Sequence, residues 1–176
     1  MTAEERIFSI VRGGLYAKLP SLALPLGRLT CREGDVDPAG TDGEAAVFAP
    51  GLLRREFLAE SDLPERLTLH LLLHLMLGHP WGRQGRARAL WDTACDLAVG
   101  LVRHALLPQE PETPAAFSAR CKLQARRAVR APAIYALLLE QPDALTAEEQ
   151  AAFYLDDHRL WQLLSLIHIS EPTRPY

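Results

Sequence analysis

Three histidines in one short apolar segment are the residues of this chain best suited to chemistry. His70 and His74 are four residues apart, and His79 follows Gly78 directly. Residues four apart share one face of a helix, so the first two rings are expected to project to the same side. Leucines surround both rings, and a buried imidazole is unfavourable unless polar partners satisfy its nitrogens. A divalent metal would satisfy them. So would hydrogen bonds to the backbone or to a carboxylate.

The spacing of His70 and His74 matches the His-Glu-x-x-His helix, in which two histidines bind zinc and the glutamate acts as general base. Leu71 stands at the glutamate position here. Leucine cannot accept a proton, and the loss of a positioned general base typically lowers a rate by a factor of about 10²–10⁴. The pattern therefore predicts zinc binding with negligible peptide hydrolysis.

A catalytic zinc site needs a third protein ligand, and the sequence offers three candidates. His79 follows the glycine turn, Asp96 lies on the next predicted helix, and His158 ends the polar cluster 156–158. Asp157 and His158 are also candidate catalytic residues, with Asp157 a replacement for the missing base. Sequence spacing leaves these alternatives open. The competing interpretation is that the histidines are packed in a core and hydrogen-bonded to the backbone or to Asp96, without a metal.

The composition indicates one soluble globular domain. The chain has 176 residues, 48% of them hydrophobic, and a net charge of −3. Arginines cluster at 83–88 and 120–130, but acidic residues offset them, so both runs are interpreted as solvated helix faces and no nucleic acid partner is expected. Three widely spaced cysteines without a Cys-x-x-Cys motif, and no leader segment, favour the cytoplasm. No run of apolar residues is long enough to predict a membrane span.

Most of the elements that must position these residues are predicted to be helices. Their expected bounds are 3–19, 52–59, 63–77, 89–107, 115–129, 132–139 and 147–155. Capping boxes at Thr2–Glu5 and Thr146–Glu149 begin the first and the last of them. Strands at 26–31 and 44–48, separated by a turn-rich segment, predict a hairpin with a long loop. The fold class is therefore α+β, a mainly helical domain with a small β-hairpin.

Four motifs in a fixed order make the chain resemble the bacterial family of the putative metallopeptidase domain. They are Thr41-Asp42-Gly43 after a strand, the histidine segment 69–79, Leu-Trp-Asp-Thr-Ala-Cys-Asp at 90–96, and Leu-Asp-Asp-His-Arg-Leu-Trp at 155–161. The resemblance covers residues 1–163 and implies a zincin-like fold, with a strand hairpin beside the histidine helix. It implies that His70 and His74 are metal ligands and that His79 and Asp96 accompany them. Many members carry the glutamate that Leu71 replaces.

The resemblance also implies partners. In this family the domain usually precedes a von Willebrand factor A-like domain, and the genes often lie near that of an AAA+ ATPase. A non-catalytic interaction module working with these partners is therefore the alternative to a zinc peptidase.

The C-terminal segment 164–176 resembles the translation of a transposon-type sequencing-library adapter. We interpret it as non-native and expect the natural sequence to depart near Leu163, ahead of a von Willebrand-like domain. A segment that was not selected with the rest has no reason to complement the core, so few core contacts are expected. His168 is excluded from the site for this reason.

Overall fold

The computed structural model of the protein describes residues 2–107, 130–162 and 164. Within these ranges the α-helices are α1 (Ala3–Lys18), α2 (Ala23–Arg28), α3 (Leu52–Leu58), α4 (Leu63–Met76), α5 (Arg88–Leu106), α6 (Ala131–Glu140) and α7 (Ala147–Phe153). The strands are β1 (Thr30–Glu33), β2 (Ala39–Thr41) and β3 (Ala45–Phe48). Short 3-10 turns lie at Pro20–Leu22, His79–Trp81, Pro142–Ala144 and His158–Leu160. The mainly helical α+β prediction is confirmed. The helix predicted at 115–129, and the tail apart from Leu164, lie outside the described residues.

Local capping chemistry sets the helix ends. Thr2 accepts a hydrogen bond from the Glu5 amide at 3.1 Å, and the Glu5 carboxylate accepts one from the Thr2 amide at 2.6 Å. The same reciprocal pair, between Thr146 and Glu149, begins α7. Both predicted capping boxes are therefore confirmed. At the end of α4, Gly78 has φ 69°, a left-handed conformation that glycine adopts without a steric cost. This turn brings the chain back towards α4 at His79.

The sheet differs from the predicted hairpin. Residues 23–28 are helical, so the strand predicted at 26–31 is wrong and β1 begins only at Thr30. β1 pairs with β3 in parallel, and the antiparallel partner of β3 is the three-residue β2. The real hairpin turns at Asp42, whose Oδ1 accepts hydrogen bonds from the amides of Glu44 at 3.0 Å and Ala45 at 2.9 Å. Its first strand, Ala-Gly-Thr, is too short and too small in side chains to produce a strand pattern.

Helix α4 lies at the centre of the domain. It packs against α1, α3 and α5 and against strands β2 and β3. Every residue from Leu67 to His74 is buried, which explains why the helix is apolar on all sides. Leu71, with no exposed surface, belongs to the core formed with α1, α3 and the sheet. A second core, formed by α5, α6 and α7, lies on the other side of α5. None of the described helices is long and apolar enough to cross a membrane.

Candidate metal centre

Helix α4 places the imidazoles of His70 and His74 next to each other inside the protein. Both residues have no exposed surface, and their Nε2 atoms are 2.9 Å apart. At this distance one Nε2 can donate a hydrogen bond to the other. The remaining nitrogen of each ring, Nδ1, then needs a partner elsewhere. The rings project to the same side of the helix, where other elements bring carboxylates towards them.

Two buried aspartates meet the histidines from different parts of the chain. Asp96 comes from the middle of α5, and Asp156 comes from the segment that follows α7. Asp156 Oδ1 is 2.9 Å from His70 Nε2 and 3.7 Å from His74 Nε2. Asp96 Oδ1 is 3.7 Å and 3.4 Å from the same two nitrogens. The four donor atoms all lie within 4.8 Å of one another. They form a compact cluster with two nitrogens and two oxygens.

The spacing of these donors is that of a tetrahedral site. Zinc lies about 2.0–2.1 Å from nitrogen and oxygen ligands, so the edges of its tetrahedron measure about 3.3–3.4 Å. Of the six distances between the four donors, the five that involve a histidine run from 2.9 to 3.7 Å. Asp96 Oδ1 and Asp156 Oδ2 are buried and have no hydrogen-bond partner among the described residues. Two buried carboxylates side by side are costly in a core unless a cation, either an imidazolium or a metal ion, balances their charge.

His158 approaches the cluster from the same segment as Asp156. Its Nε2 lies 3.1 Å from Asp96 Oδ1 and 3.1 Å from Asp156 Oδ1. Its ring packs on Trp161, with ring centroids 4.0 Å apart and planes inclined by 35°. Burial disfavours the charged imidazole, but Asp156 and Asp96 outweigh burial and raise the pKa of His158 well above its usual value. Burial likewise opposes ionisation of Asp156, yet the surrounding histidines hold its pKa well below the usual range.

His79 lies behind His74 and is not one of the clustered donors. Its Nδ1 is 3.0 Å from Nδ1 of His74, on the side of that ring away from Nε2. Burial, together with the neighbouring His74, lowers the pKa of His79 to about 2, so its ring is neutral. A neutral His79 can accept a proton from His74 Nδ1 and thereby leave Nε2 of His74 free to bind a metal. This is the usual role of the partner of a ligating imidazole.

Arg103 occupies the corresponding position behind His70. Its Nη1 lies 3.5 Å from His70 Nδ1, and the residue is 5% exposed. A guanidinium only donates, so this contact places the proton of His70 on Nε2, towards Asp156. Metal binding through Nε2 requires the opposite tautomer. Arg103 therefore opposes ligation by His70, whereas His79 supports ligation by His74.

An open cleft of about 590 Å³ adjoins the cluster. Asp92, Asp96, His158, Asp157 and Tyr154 are among the residues that line it. Burial raises the pKa of Asp92, whose Oδ2 lies 4.0 Å from His158 Nδ1. Of the four clustered donors only Asp96 lines this cleft, and the other three are enclosed by protein.

The candidate base Asp157 is not brought into the cluster. Its Oδ2 accepts a hydrogen bond from Arg159 Nε at 2.7 Å, and its Oδ1 accepts one from the Arg159 amide at 2.9 Å. Its own amide donates to the carbonyl of Ala39 at 2.7 Å, which attaches the segment to the edge of the sheet. Asp157 therefore anchors the segment, while Asp156 on one side of it faces His70 and His158 on the other side faces Asp96 and Asp156. Burial, first of all, raises the pKa of the Cys95 thiol beside Asp96, which suits an inert core residue.

Sequence reasoning gave no role to Asp156. Sixty residues separate it from Asp96 and no helical spacing links it to His70, so nothing local predicts their contact. The available signal was its position beside His158 in the polar motif at 155–161.

The fold and this cluster define a helical domain with a buried histidine and aspartate centre able to hold a divalent metal. The sequence matches the family described as putative metallopeptidase domain over residues 13–152, and the chain belongs to that family. The matched region contains His70, His74 and Asp96, whereas Asp156 and His158 lie beyond it. Comparison with curated proteins and with solved structures gave no match.

Proposed function

We propose that this domain binds one divalent metal ion, zinc, through His70, His74, Asp96 and Asp156. The observation that carries the proposal is the near-tetrahedral spacing of four buried donors, 2.9–3.7 Å for the five distances that include a histidine. Nitrogen and carboxylate oxygen in this geometry suit zinc. A bound zinc ion would act as a Lewis acid. The residues of the chain supply a closed and largely dry enclosure around it.

The donor set supports a stabilising role for the metal more than a hydrolytic one. Four protein ligands are typical of structural zinc sites, whereas catalytic sites have three and keep one position open. The ligands come from α4, from α5 and from the segment after α7, so one ion ties three parts of the chain together. Leu71, at the position of the usual glutamate, is packed in the core and cannot act as a base. We therefore propose a zincin-like member of the family with negligible peptidase activity.

Zinc stoichiometry in matched variants tests this function. After dialysis against zinc and removal of unbound ion, the unmodified protein is expected to retain one equivalent. A His70→Ala, His74→Ala variant is expected to retain none. His104→Gln is the control, since His104 lies on α5 and outside the cluster. Stoichiometric zinc in the double variant would contradict the proposal.

A second candidate function is a non-catalytic interaction module, working with a von Willebrand factor A-like domain and an AAA+ ATPase in the cytoplasm. The closed donor set favours it, because a metal site without a free position and without a base suits a protein that binds rather than cleaves. Free Cys31 and Cys95 support the cytoplasmic location. The experiment is a binding titration with the AAA+ ATPase encoded nearest the gene, with zinc and with a chelator. Absence of binding in both conditions would contradict it. Robust zinc-dependent cleavage of unfolded protein would favour a peptidase instead.

A further inference from the structure

We propose that a surface groove beside α1 binds a basic, amphipathic helix of a partner protein. The groove has a volume of about 580 Å³, and its lining residues come from α1, from the end of α3, from the turn that follows α3 and from the start of α4. None of the four clustered metal donors lines it. The inference therefore goes beyond the proposed zinc site and does not depend on it.

The groove exposes large apolar side chains to solvent. Ile10 comes from α1, and Phe57 and Leu58 come from the last turn of α3. All three are exposed, whereas Val11 and Pro64, which also line the groove, are buried. A single exposed apolar side chain is ordinary, but several around one groove indicate a surface that another molecule covers.

The charged residues of the groove give it a negative excess. Three carboxylates and one ammonium group line it, those of Glu60, Asp62, Glu65 and Lys18. Glu65 forms an ion pair with Lys18, so the excess charge belongs to Glu60 and Asp62. Gly14 permits this ion pair, because a Cβ at that position would collide with the Glu65 carboxylate. A partner with lysine or arginine beside its apolar face is complementary to this surface, whereas an acidic partner would be repelled.

A helix suits the groove better than an extended peptide does. The described lining residues belong to helices and to the turn between α3 and α4, so no strand edge offers its backbone groups to an extended chain. Between Ile10 and Lys18, α1 rises about 12 Å, which is the length of about two turns of a docked helix. Apolar residues on one face of that helix would cover Phe57 and Leu58, while basic residues beside them would face Glu60.

The test titrates the full chain with a fluorescently labelled synthetic helix of about 20 residues, which has leucine along one face and lysine on its flanks. The same peptide with glutamate in place of lysine is the comparison for charge. The lysine peptide is expected to bind about tenfold more tightly than the glutamate peptide, and added salt should weaken it because exposed charges are screened. The amide resonances that shift on binding are expected to be those of α1 around Ile10 and of residues 57–65.

Two exposed leucines provide matched variants. Leu58→Ser removes an apolar side chain from the groove and should raise the Kd of the lysine peptide about tenfold. Leu24→Ser should leave this Kd unchanged, because Leu24 is equally exposed, at 70% against 73% for Leu58, and lies outside the groove. Glu60 has φ 52°, a conformation that favours glycine, so Glu60→Gly should weaken binding of the lysine peptide without lowering Tm.

Three results would each overturn the proposal: equal affinities for the two peptides, equal Kd values in Leu58→Ser and Leu24→Ser, or resonance shifts confined to residues outside the groove. Sedimentation that shows a dimer of the unmodified chain and a monomer of Leu58→Ser would also overturn it, and would assign the groove to a second copy of this chain. Leu58→Ser is expected to retain as much zinc as the unmodified protein. Failure of the groove and failure of the metal centre are therefore distinguishable.

Discussion

Replacing Asp156 with asparagine removes one metal ligand charge while keeping the shape of the side chain. Asp156 has no exposed surface, and its Oδ1 lies 2.9 Å from His70 Nε2. In the metal-loaded protein the carboxylate is an anionic ligand, and a neutral amide oxygen binds a cation less strongly. The substitution is therefore expected to reduce the stabilisation that metal binding provides.

The magnitude follows from linkage between binding and unfolding. At a free zinc concentration of about 1,000 times Kd, binding stabilises the folded state by about 4.1 kcal/mol. If Asp156→Asn raises Kd about 100-fold, the same zinc concentration provides about 1.4 kcal/mol, a loss of about 2.7 kcal/mol. In a domain of this size 1 kcal/mol corresponds to about 2–4 °C, so the zinc-induced rise in Tm should shrink by about 5–11 °C.

Thermal unfolding with and without zinc measures this difference, and each protein serves as its own metal-free reference. Asp157→Asn is the matched control, because its carboxylate binds Arg159 and lies outside the donor cluster. The control should keep the full zinc-induced shift even if its baseline Tm changes. An Asp156→Asn protein with the full shift would refute the assignment of Asp156 as a ligand.

Four further predictions concern other parts of the domain. Leu71→Glu should lower the free energy of unfolding by several kcal/mol in a urea titration without creating peptidase activity, since position 71 lies in the core; full stability with new cleavage of a fluorogenic peptide would contradict this. Arg103→Gln should raise the affinity for zinc about tenfold in chelator competition, because the side-chain carbonyl of the introduced glutamine can accept a hydrogen bond from His70 Nδ1. A lower affinity than in Arg103→Met would contradict this. The free energy of unfolding of the metal-free protein, measured in urea, should fall as the pH rises above about 6.5. The pKa of His158 is higher in the folded than in the unfolded protein, so its contribution to stability is complete only below the pKa of the unfolded protein. A free energy of unfolding that does not change with pH would contradict this. Deleting residues 164–176 should leave Tm unchanged, and a sharp fall would show that the tail belongs to the fold.

Six of the seven described helices were predictable because their signals are local, whereas α2 (Ala23–Arg28) was missed and residues 26–28 were predicted to be part of a strand. The reciprocal hydrogen bonds of Thr2 with Glu5 and the glycine at position 78 lie within a few residues of the ends they define. The histidine pair was predictable for the same reason, since four residues make one helical turn. In each case a short stretch of sequence contains both partners of the interaction.

The sheet and the aspartate ligands depend on contacts between distant residues. Thr30 pairs in parallel with Ala45, and the turn-rich segment between the two strands predicted an antiparallel hairpin instead. Asp156 reaches His70 across 86 positions of sequence. Charge alone gave no reason to prefer it to Asp157, whose carboxylate is instead taken by Arg159.

Anomalous diffraction at the zinc absorption edge, from crystals of the protein purified with zinc, locates the ion relative to its four proposed ligands. One strong peak is expected about 2.0–2.1 Å from His70 Nε2, His74 Nε2, Asp96 Oδ1 and Asp156 Oδ1. A zinc peak elsewhere, or no peak and a cluster joined by direct hydrogen bonds between its histidines and aspartates, would contradict it.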